Sequence, residues 1–204
     1  MLQCSVPIQI KQLMLTSYAH LRGDPFLFGR TRTEIEALRS NNLQYTYTPG
    51  ISSCIAGPHL GGIPLTDPSL DCQSFGVWSG TDAFGKSWGL DAEDGTKKEW
   101  KGVGVDVLVF LMIGRLDKLE ALCNLIANGS DGDDTAKWNK STPCAVIQNA
   151  GGTTEPSIQR VWRSTLEHMV RDIKEEDETR TSVSPAVFVA GRTAALDLLS
   201  QDSQ

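Results

Sequence analysis

The strongest constraint on the fold is an unbroken apolar run at residues 107–113, inside the segment VDVLVFLMIG. A strand that is apolar on both faces has to be covered on both faces, as strands at the centre of an α/β sheet are. The next segment, RLDKLEALCNLIANG, has the period of an amphipathic helix that ends at Gly129. Its apolar side chains fall on one stripe: Leu116, Leu119, Leu122, Cys123 and Ile126. The pair predicts a buried strand followed by a helix that packs on the sheet.

The rest of the chain alternates between the same two kinds of pattern. Two more buried strands are predicted in PCAVIQNAGG and PAVFVAGR, with an amphipathic helix in STLEHMVRDIKEE between them. LQYTYTPG and CQSFGVWSGT are typical of strands, and ISSCIAGPHLGGIPLT of a tightly packed helix. TRTEIEALRSNN predicts a further helix, in which Thr31 and Glu34 have the spacing of a capping box. The alternation predicts an α/β protein with a mixed or mostly parallel sheet.

One long segment, residues 82–102, has no such pattern. Its sequence, DAFGKSWGLDAEDGTKKEWKG, is polar and contains several glycines. It predicts a surface loop or a mobile insertion.

Composition excludes several classes of function. Asp and Glu outnumber Lys and Arg by 25 to 19, which gives a net charge of -6 and argues against nucleic acid as a partner. The longest apolar run is far shorter than the ~20 residues of a membrane-spanning helix, so no membrane partner is expected. The 5 cysteines are scattered without a CxxC pair, which favours a reducing compartment. The cytoplasm is expected, with an organelle as the alternative.

Motifs for metal-dependent or nucleophilic catalysis are absent from the sequence. His20, His59 and His168 lie far apart and do not have the spacing of metal ligands. The sequence contains no GxSxG, Walker or GxGxxG motif. Cys54 and His59 are five positions apart, a spacing at which side chains on a helix do not face each other. No metal site and no thiol nucleophile are therefore predicted.

Four glycine-containing loops follow or flank the predicted strands. They lie at residues 23–25, 49–53, 112–114 and 151–154. Ligands of α/β sheets bind beyond the carboxyl ends of the strands, where glycine lets a ligand approach the backbone. Each loop alone is typical of an ordinary turn. Together they predict a single pocket at one edge of the sheet.

The same loops carry motifs that resemble a known family, the tetrapyrrole methylases. RGDPFLFGR is similar to its first signature, TPGISSCIAGPHLGGIPLT to its second and VFLMIGRL to its third, in the same order and at similar spacing. The blocks SGT, PCAVIQNAGGTTEPSIQR and PAVFVAGR resemble the remaining conserved segments of the family. The chain most resembles the branch that methylates uroporphyrinogen III, in its fungal form.

The resemblance implies a two-domain α/β fold with mixed sheets, usually in a homodimer. It implies S-adenosylmethionine as the methyl donor and uroporphyrinogen III as the tetrapyrrole substrate, which is converted to precorrin-2 on the way to sirohaem. On this resemblance residues 1–48 are the remnant of an incomplete N-terminal methylase domain, residues 49–198 the C-terminal domain and residues 199–204 a tail.

By position, the resemblance also implies a set of residues that bind the methyl donor. They come from all four loops: Arg22, Gly23, Asp24, Leu27, Ser52, Ser53, Met112 and either Gly151 or Gly152. The AGGTTEPS loop is longer than is usual in the family, which leaves the choice between the last two glycines open. No residue is assigned a role in acid or base catalysis.

The chain departs from the family pattern near its beginning and after the second signature. QIKQLMLTSYAH resembles the helix that precedes the strand before the first signature, so that strand is expected to be missing. Asp67 and Pro68 stand where the family has His-Arg, which removes positive charge. Two alternatives follow: a non-catalytic remnant that acts as a partner subunit, and a related methylase of a later corrin intermediate.

Overall fold

A computed structural model describes residues 5–12, 15–29, 31–81, 104–128 and 138–200 of the chain. These residues form two sheets and four α-helices. The predicted loop at residues 82–102 and the predicted helix end at Gly129 lie outside the described residues.

The first sheet is small and antiparallel. Strand β1 (Ser5–Gln12) pairs with β2 (Leu15–Arg22) on one side and with β3 (Gln44–Thr46) on the other. Helix α1 (Thr31–Ser40) connects β2 to β3, in the segment where a helix was predicted. The hydroxyl of Thr31 donates a hydrogen bond to the carbonyl of Pro25, which joins the start of this helix to the first glycine loop.

The prediction of a helix in QIKQLMLTSYAH, with the following strand missing, is wrong. The segment forms the end of β1 and most of β2, and β2 leads directly into the first glycine loop at Gly23. The reason is visible in the sequence, because Val6, Ile8 and Ile10 alternate with other residues at the period of a strand. The similarity to the family helix outweighed that alternation in the prediction.

The second sheet has five strands in the order β4-β5-β8-β6-β7. The strands are β4 (Phe75–Ser79), β5 (Val107–Leu111), β6 (Pro143–Gln148), β7 (Arg160–Thr165) and β8 (Ala186–Gly191). β4 and β5 are parallel and the other neighbours are antiparallel, so the predicted mixed sheet is confirmed. All residues of β5 are buried, as its apolar run predicted. β7 was not predicted, because its sequence RVWRST is polar and lies at the sheet edge, half exposed.

Helices cover the five-stranded sheet on both faces. Helices α3 (Leu116–Asn128) and α4 (Met169–Glu176) share a buried cluster with Leu108, Phe110 and Phe188. Helix α2 (Ser53–Leu60) lies on the opposite face, where Cys54 packs in a cluster with Val109 and Val187. Alternate residues of one strand belong to different clusters because successive side chains of a strand point to opposite faces. The predicted apolar stripe of α3 is buried, as expected.

The strand directions bring three loops to one edge of this sheet. β5 and β6 are each antiparallel to β8, so they run parallel to each other and to β4. The loops that begin at residues 80, 112 and 149 therefore leave the sheet at the same edge. The carboxyl ends of parallel strands are the usual ligand side of an α/β sheet.

Candidate functional site

A cavity of about 510 Å³ lies where the first and second glycine loops meet β4. Its volume is within the range of roughly 300–1,000 Å³ that small-molecule sites occupy. The residues that line it come from the first loop, the second loop, the first turn of α2 and β4: Asp24, Leu27, Gly50, Ile51, Ser52, Cys54, Ile55 and Val77. Three of the predicted site residues, Asp24, Leu27 and Ser52, are thus brought together.

The carboxylate of Asp24 joins the first loop to the second. Its Oδ1 accepts a hydrogen bond from the backbone N–H of Phe26 at 2.8 Å. Its Oδ2 accepts from the Tyr47 hydroxyl at 2.7 Å and from the backbone N–H of Gly50 at 3.1 Å. The bond from Tyr47 is the main reason why the pKa of Asp24 lies below its ordinary value, and the two N–H groups add to it against the effect of desolvation. Asp24 is therefore ionised at neutral pH, and both of its carboxylate oxygens accept hydrogen bonds.

Gly23 lets the first loop pass close to the second. Its φ of +70° lies in the left-handed region, which glycine adopts without steric cost. A Cβ at this position would lie 3.9 Å from the carbonyl oxygen of Ile51, in ordinary contact. Conformation, more than crowding, thus requires glycine here. Arg22 is the last residue of β2 and directly precedes this turn.

Ser52 begins helix α2 at the wall of the cavity. Its hydroxyl accepts a hydrogen bond from the backbone N–H of Cys54 at 3.4 Å, as an N-cap does. Ser53 is the first residue of the helix and is exposed. The first turn of α2 contains no acidic residue, so no side chain of the helix itself offsets the partial positive charge of its N-terminus. Ionised Asp24 lines the same cavity, so the cavity offers both a positive helix end and a carboxylate to a ligand that carries charges of both signs.

Met112 directly follows β5, at the carboxyl end of the strand that pairs with β4. Its Sδ is 3.4 Å from the hydroxyl oxygen of Ser79, which is two residues along β4 from the cavity residue Val77. The side chain is half exposed, and its φ of 59° lies in the left-handed region. An exposed side chain held in a costly backbone conformation is a frequent feature of ligand sites.

The fourth loop contacts the other end of helix α2. The backbone N–H of Gly151 donates to Oε1 of Gln159 at 2.7 Å, and Nε2 of the same glutamine donates to the carbonyl of Leu60 at 2.9 Å. Gly152 is required by its own turn, because a Cβ there would lie 1.7 Å from the carbonyl oxygen of Ser157. Both glycines therefore lie near the C-terminal end of α2, whereas Ser52 lies at its beginning.

Sequence reasoning missed several residues of this cavity. Gly50 and Ile51 belong to the motif that was recognised, yet only the two serines after them were selected. Ile55 lies three positions after Ser52, a helical spacing that could have found it, whereas Cys54, two positions after Ser52, carries no such signal. Val77 reaches the site through the fold alone, since its strand pattern carries no functional signal.

Apolar side chains surround the cavity. Phe26, Leu27, Ile51 and Ile55 are each exposed by more than a third, and the rings of Phe26 and Tyr47 meet edge to face at 4.5 Å. A run of exposed apolar residues in the GDPFLFGR segment is unusual on a protein surface that faces only water. The segment therefore has the character of a binding surface.

Within the described ranges, no group of three or more His, Cys, Asp or Glu side chains is placed to hold a metal ion. No helix there is both long and apolar enough to cross a membrane.

Comparison with known proteins places the motifs in one family. The family model of the Tetrapyrrole (Corrin/Porphyrin) Methylases matches residues 16–170. A uroporphyrinogen-III C-methyltransferase of Methanocaldococcus jannaschii is 36% identical over 172 residues, which cover 83% of this chain and 60% of that protein. The uroporphyrinogen-III C-methyltransferase of Synechococcus elongatus is 32% identical over 174 residues, covering 85% and 59% respectively. The chain thus spans about 60% of the length of these relatives.

Solved structures agree with the α/β fold. The uroporphyrin-III C-methyltransferase of Thermus thermophilus, complexed with S-adenyl homocysteine, has a TM-score of 0.51 and 25% identity, covering 84% of this chain and 63% of that one. A cobalt precorrin-4 methyltransferase has a TM-score of 0.59 at 16% identity, covering 85% and 63%. The latter likeness is one of fold alone.

Proposed function

Because the chain belongs to the tetrapyrrole methylase family, we propose that it is an S-adenosylmethionine-dependent C-methyltransferase that converts uroporphyrinogen III to precorrin-2. The observation that carries the proposal is the cavity of about 510 Å³, whose lining comes from the first two signature loops. Two relatives that are 36% and 32% identical to this chain carry the name of this activity.

The cavity has the mixed character that S-adenosylmethionine requires. That donor combines a purine and ribose with a charged amino acid end. Leu27, Ile55 and Val77 offer apolar surface to a flat ring, while Ser52 and the N-terminus of α2 offer polar groups to a carboxylate. The residues present therefore fit the donor. Met112 is proposed as a contact at the margin of the same site, and either Gly151 or Gly152 as a contact of a donor that reaches along α2 to its C-terminal end.

The donor, when bound, supplies a methyl group on a positively charged sulfur. Transfer of that group to a carbon is a direct displacement, so the main task of the protein is to align the reacting atoms. Asp24 joins the two loops through hydrogen bonds, and the apolar side chains at the rim, which are exposed in the free chain, would exclude water from a bound donor. Positioning of this kind can supply roughly 7–11 kcal/mol of a barrier.

Calorimetric titration of the purified chain with S-adenosylhomocysteine tests the donor site. Binding is expected, and replacement of Ile55 by Trp should abolish it because the larger side chain fills the cavity. Ile158→Trp is the matched control, since Ile158 is exposed to a similar degree but does not line the cavity. Absence of detectable binding at millimolar ligand would rule out the donor site.

A turnover assay tests the acceptor. Reduced uroporphyrinogen III and S-adenosylmethionine, incubated with the full chain without oxygen, are expected to yield the doubly methylated product, detected by mass spectrometry. A parallel reaction with a methylated corrin intermediate distinguishes the related methylase. Methylation of that intermediate alone would overturn the proposed substrate.

One observation favours a second candidate, a chain that binds the donor without methylating uroporphyrinogen III. Asp67 accepts hydrogen bonds from the backbone N–H and the hydroxyl of Ser69, at 2.8 and 2.6 Å. These bonds hold the pKa of Asp67 below its ordinary value, and the bond from the hydroxyl has the larger effect. Asp67 is therefore negatively charged at neutral pH. A negative charge at the position where the family has His-Arg disfavours a substrate rich in carboxylates. Donor binding without any turnover would support this candidate.

We also propose that the chain forms a homodimer. Exposed apolar side chains such as Phe75, Leu198 and Leu199 lie outside the cavity and give the surface an apolar character. Such surface is typical of interfaces between subunits. Light scattering of the purified chain should give twice the mass of one chain, and a stable monomer would contradict the dimer.

A further inference from the structure

Tyr47 stands just outside the cavity and contacts the residue that joins its two loops. It follows β3 and precedes the second loop at Pro49. Its hydroxyl donates to Oδ2 of Asp24 at 2.7 Å, and its ring meets that of Phe26 edge to face, with centroids 4.5 Å apart. It is not among the residues that line the cavity. Any effect of Tyr47 on a ligand must therefore act through its neighbours.

The contacts of Tyr47 connect segments that are otherwise separate in the chain. The first loop is closed on itself, because Asp24 accepts from Phe26 through its side chain and from Leu27 through its carbonyl. Tyr47 joins this closed loop to the second loop, across 23 positions of sequence, and the N–H of Gly50 makes a neighbouring bond to the same oxygen. The separation of the two loops thus depends on what Asp24 binds.

The bond from Tyr47 is of a strong kind. A hydroxyl that donates to a carboxylate makes a charge-assisted hydrogen bond, about twice as strong as a neutral one. Desolvation, together with the bond to Asp24, raises the pKa of Tyr47 to about 12. The hydroxyl therefore keeps its proton, and remains a donor, throughout the neutral range.

We infer that Tyr47 is a positioning residue of the methyl-donor site, which sets the separation of the two cavity loops through Asp24 and so the affinity for the donor. This inference rests on the proposed function. Tyr47 contacts Asp24 and Phe26 of the first loop and does not line the cavity in which the ligand would bind.

Replacement of Tyr47 by Phe is the direct test, because it removes the hydroxyl and keeps the ring that contacts Phe26. The dissociation constant for S-adenosylhomocysteine, measured by calorimetry, is expected to rise about tenfold, the equivalent of one charge-assisted bond. Tyr45→Phe is the matched control: the Tyr45 hydroxyl accepts a hydrogen bond from Nε of Arg39 at 3.1 Å and does not contact Asp24. The control is expected to change the constant less than about twofold.

Two further measurements separate positioning from a general loss of stability. If Tyr47 acts through Asp24, adding Tyr47→Phe to Asp24→Ala, which removes the acceptor of the Tyr47 bond, weakens binding no further than Asp24→Ala alone. In turnover, the Tyr47→Phe enzyme should show a raised KM for the donor with an unchanged kcat. Additive losses in the double variant, or a fall in kcat alone, would overturn the inference.

The outcomes also separate the inference from the proposed function. If the unmodified chain does not bind S-adenosylhomocysteine, the proposed function fails and the inference fails with it. If the unmodified chain binds and Tyr47→Phe binds equally well, the inference fails and the proposed function stands. Should Tyr47→Phe not fold, Asp24→Asn keeps an acceptor of the same shape and removes the charge that strengthens the bond from Tyr47. It is expected to weaken binding several-fold, and unchanged binding would count against the inference.

Discussion

Gly57 of helix α2 lies directly against Val187 of strand β8, and a Cβ at Gly57 would be 2.9 Å from Cγ2 of that valine. Gly61, one turn later, has the same relationship to Ile147 of β6, at 2.8 Å from its Cγ1. Both partners are buried and both are β-branched, so neither side chain can move aside cheaply. The helix that begins at Ser52 therefore lies on the sheet at a distance that glycine makes possible.

Replacement of Gly57 by Ala should lift α2 from the sheet. Overpacking of this kind costs about 1–3 kcal/mol of the free energy of unfolding, against a gain of up to about 1 kcal/mol in helix propensity. Urea denaturation measures the net loss. Val187→Ala makes room for the new methyl group, so the double variant should lose less stability than the two single losses added together. Strictly additive losses would show that the contact is not tight.

Arg163 joins three parts of the structure that sequence analysis did not connect. Its Nε donates to the carbonyl of Leu196 at 3.1 Å. Its Nη2 donates to the carbonyl of Gly61 and also forms an ion pair with Oδ2 of Asp197 at 3.1 Å. Arg163→Lys keeps the charge but loses the fork of donors, and should cost about 2 kcal/mol in the free energy of unfolding.

Asp197→Asn is the comparison for that variant, since it weakens the ion pair and leaves both carbonyl contacts of Arg163 in place. It should cost less, as measured by urea denaturation. Equal costs would mean that the ion pair dominates and that the carbonyl contacts contribute little.

Local pattern was sufficient for most of the second sheet. The buried runs of β5, β6 and β8 and the apolar stripe of α3 are strong signals, because burial on two faces or on one helical face dictates residue type directly. β7 escaped prediction because an edge strand can be polar. The β1–β2 hairpin was mistaken for a helix, although Val6, Ile8 and Ile10 alternate at the period of a strand.

The candidate site was predictable only where its residues lie within the motifs. Asp24, Leu27 and Ser52 were selected by position in the signatures, and they meet in one cavity. Tyr47 and Val77 lie outside the signature motifs: Val77 lines the cavity, and Tyr47 contacts the cavity residue Asp24 across 23 positions of sequence. No spacing rule connects residues that are joined by the packing of separate strands and loops.

Acid should weaken the connection between β7 and α4. The hydroxyl of Ser164 donates to Oδ2 of Asp172, and this bond is the main cause of the lowered pKa of Asp172, with Arg171 adding to it. A carboxyl group whose pKa is lower in the folded state stabilises the fold at any pH above its ordinary pKa of 3.8. That contribution to the free energy of unfolding disappears as the pH falls through the folded pKa.

Asp172→Asn should therefore be less stable than the unmodified chain by about 1 kcal/mol at pH 7, with the difference shrinking below about pH 4. Urea denaturation at pH 7 and pH 3 measures both values. Glu175→Gln removes the same charge from the same helix, where Glu175 forms only an exposed pair with Arg171, and controls for the change in net charge. A difference that stays constant with pH would show that Asp172 stabilises the fold through packing.

Met112 combines strain with exposure at the margin of the cavity, and two substitutions separate these properties. Both Met112→Gly and Met112→Ala remove the side chain beside Ser79, so both should weaken binding of S-adenosylhomocysteine several-fold in calorimetry if Met112 contacts the donor. They differ in the backbone, because a φ of 59° is costly for alanine and free for glycine. The glycine variant should therefore unfold at a higher urea concentration than the alanine variant. Its free energy of unfolding should be larger by about 1 kcal/mol, a figure that already includes the larger entropy of glycine in the unfolded state. Equal free energies of unfolding for the two variants would mean that the turn relaxes when the side chain is lost. Unchanged binding in both variants would show that Met112 does not contact the donor.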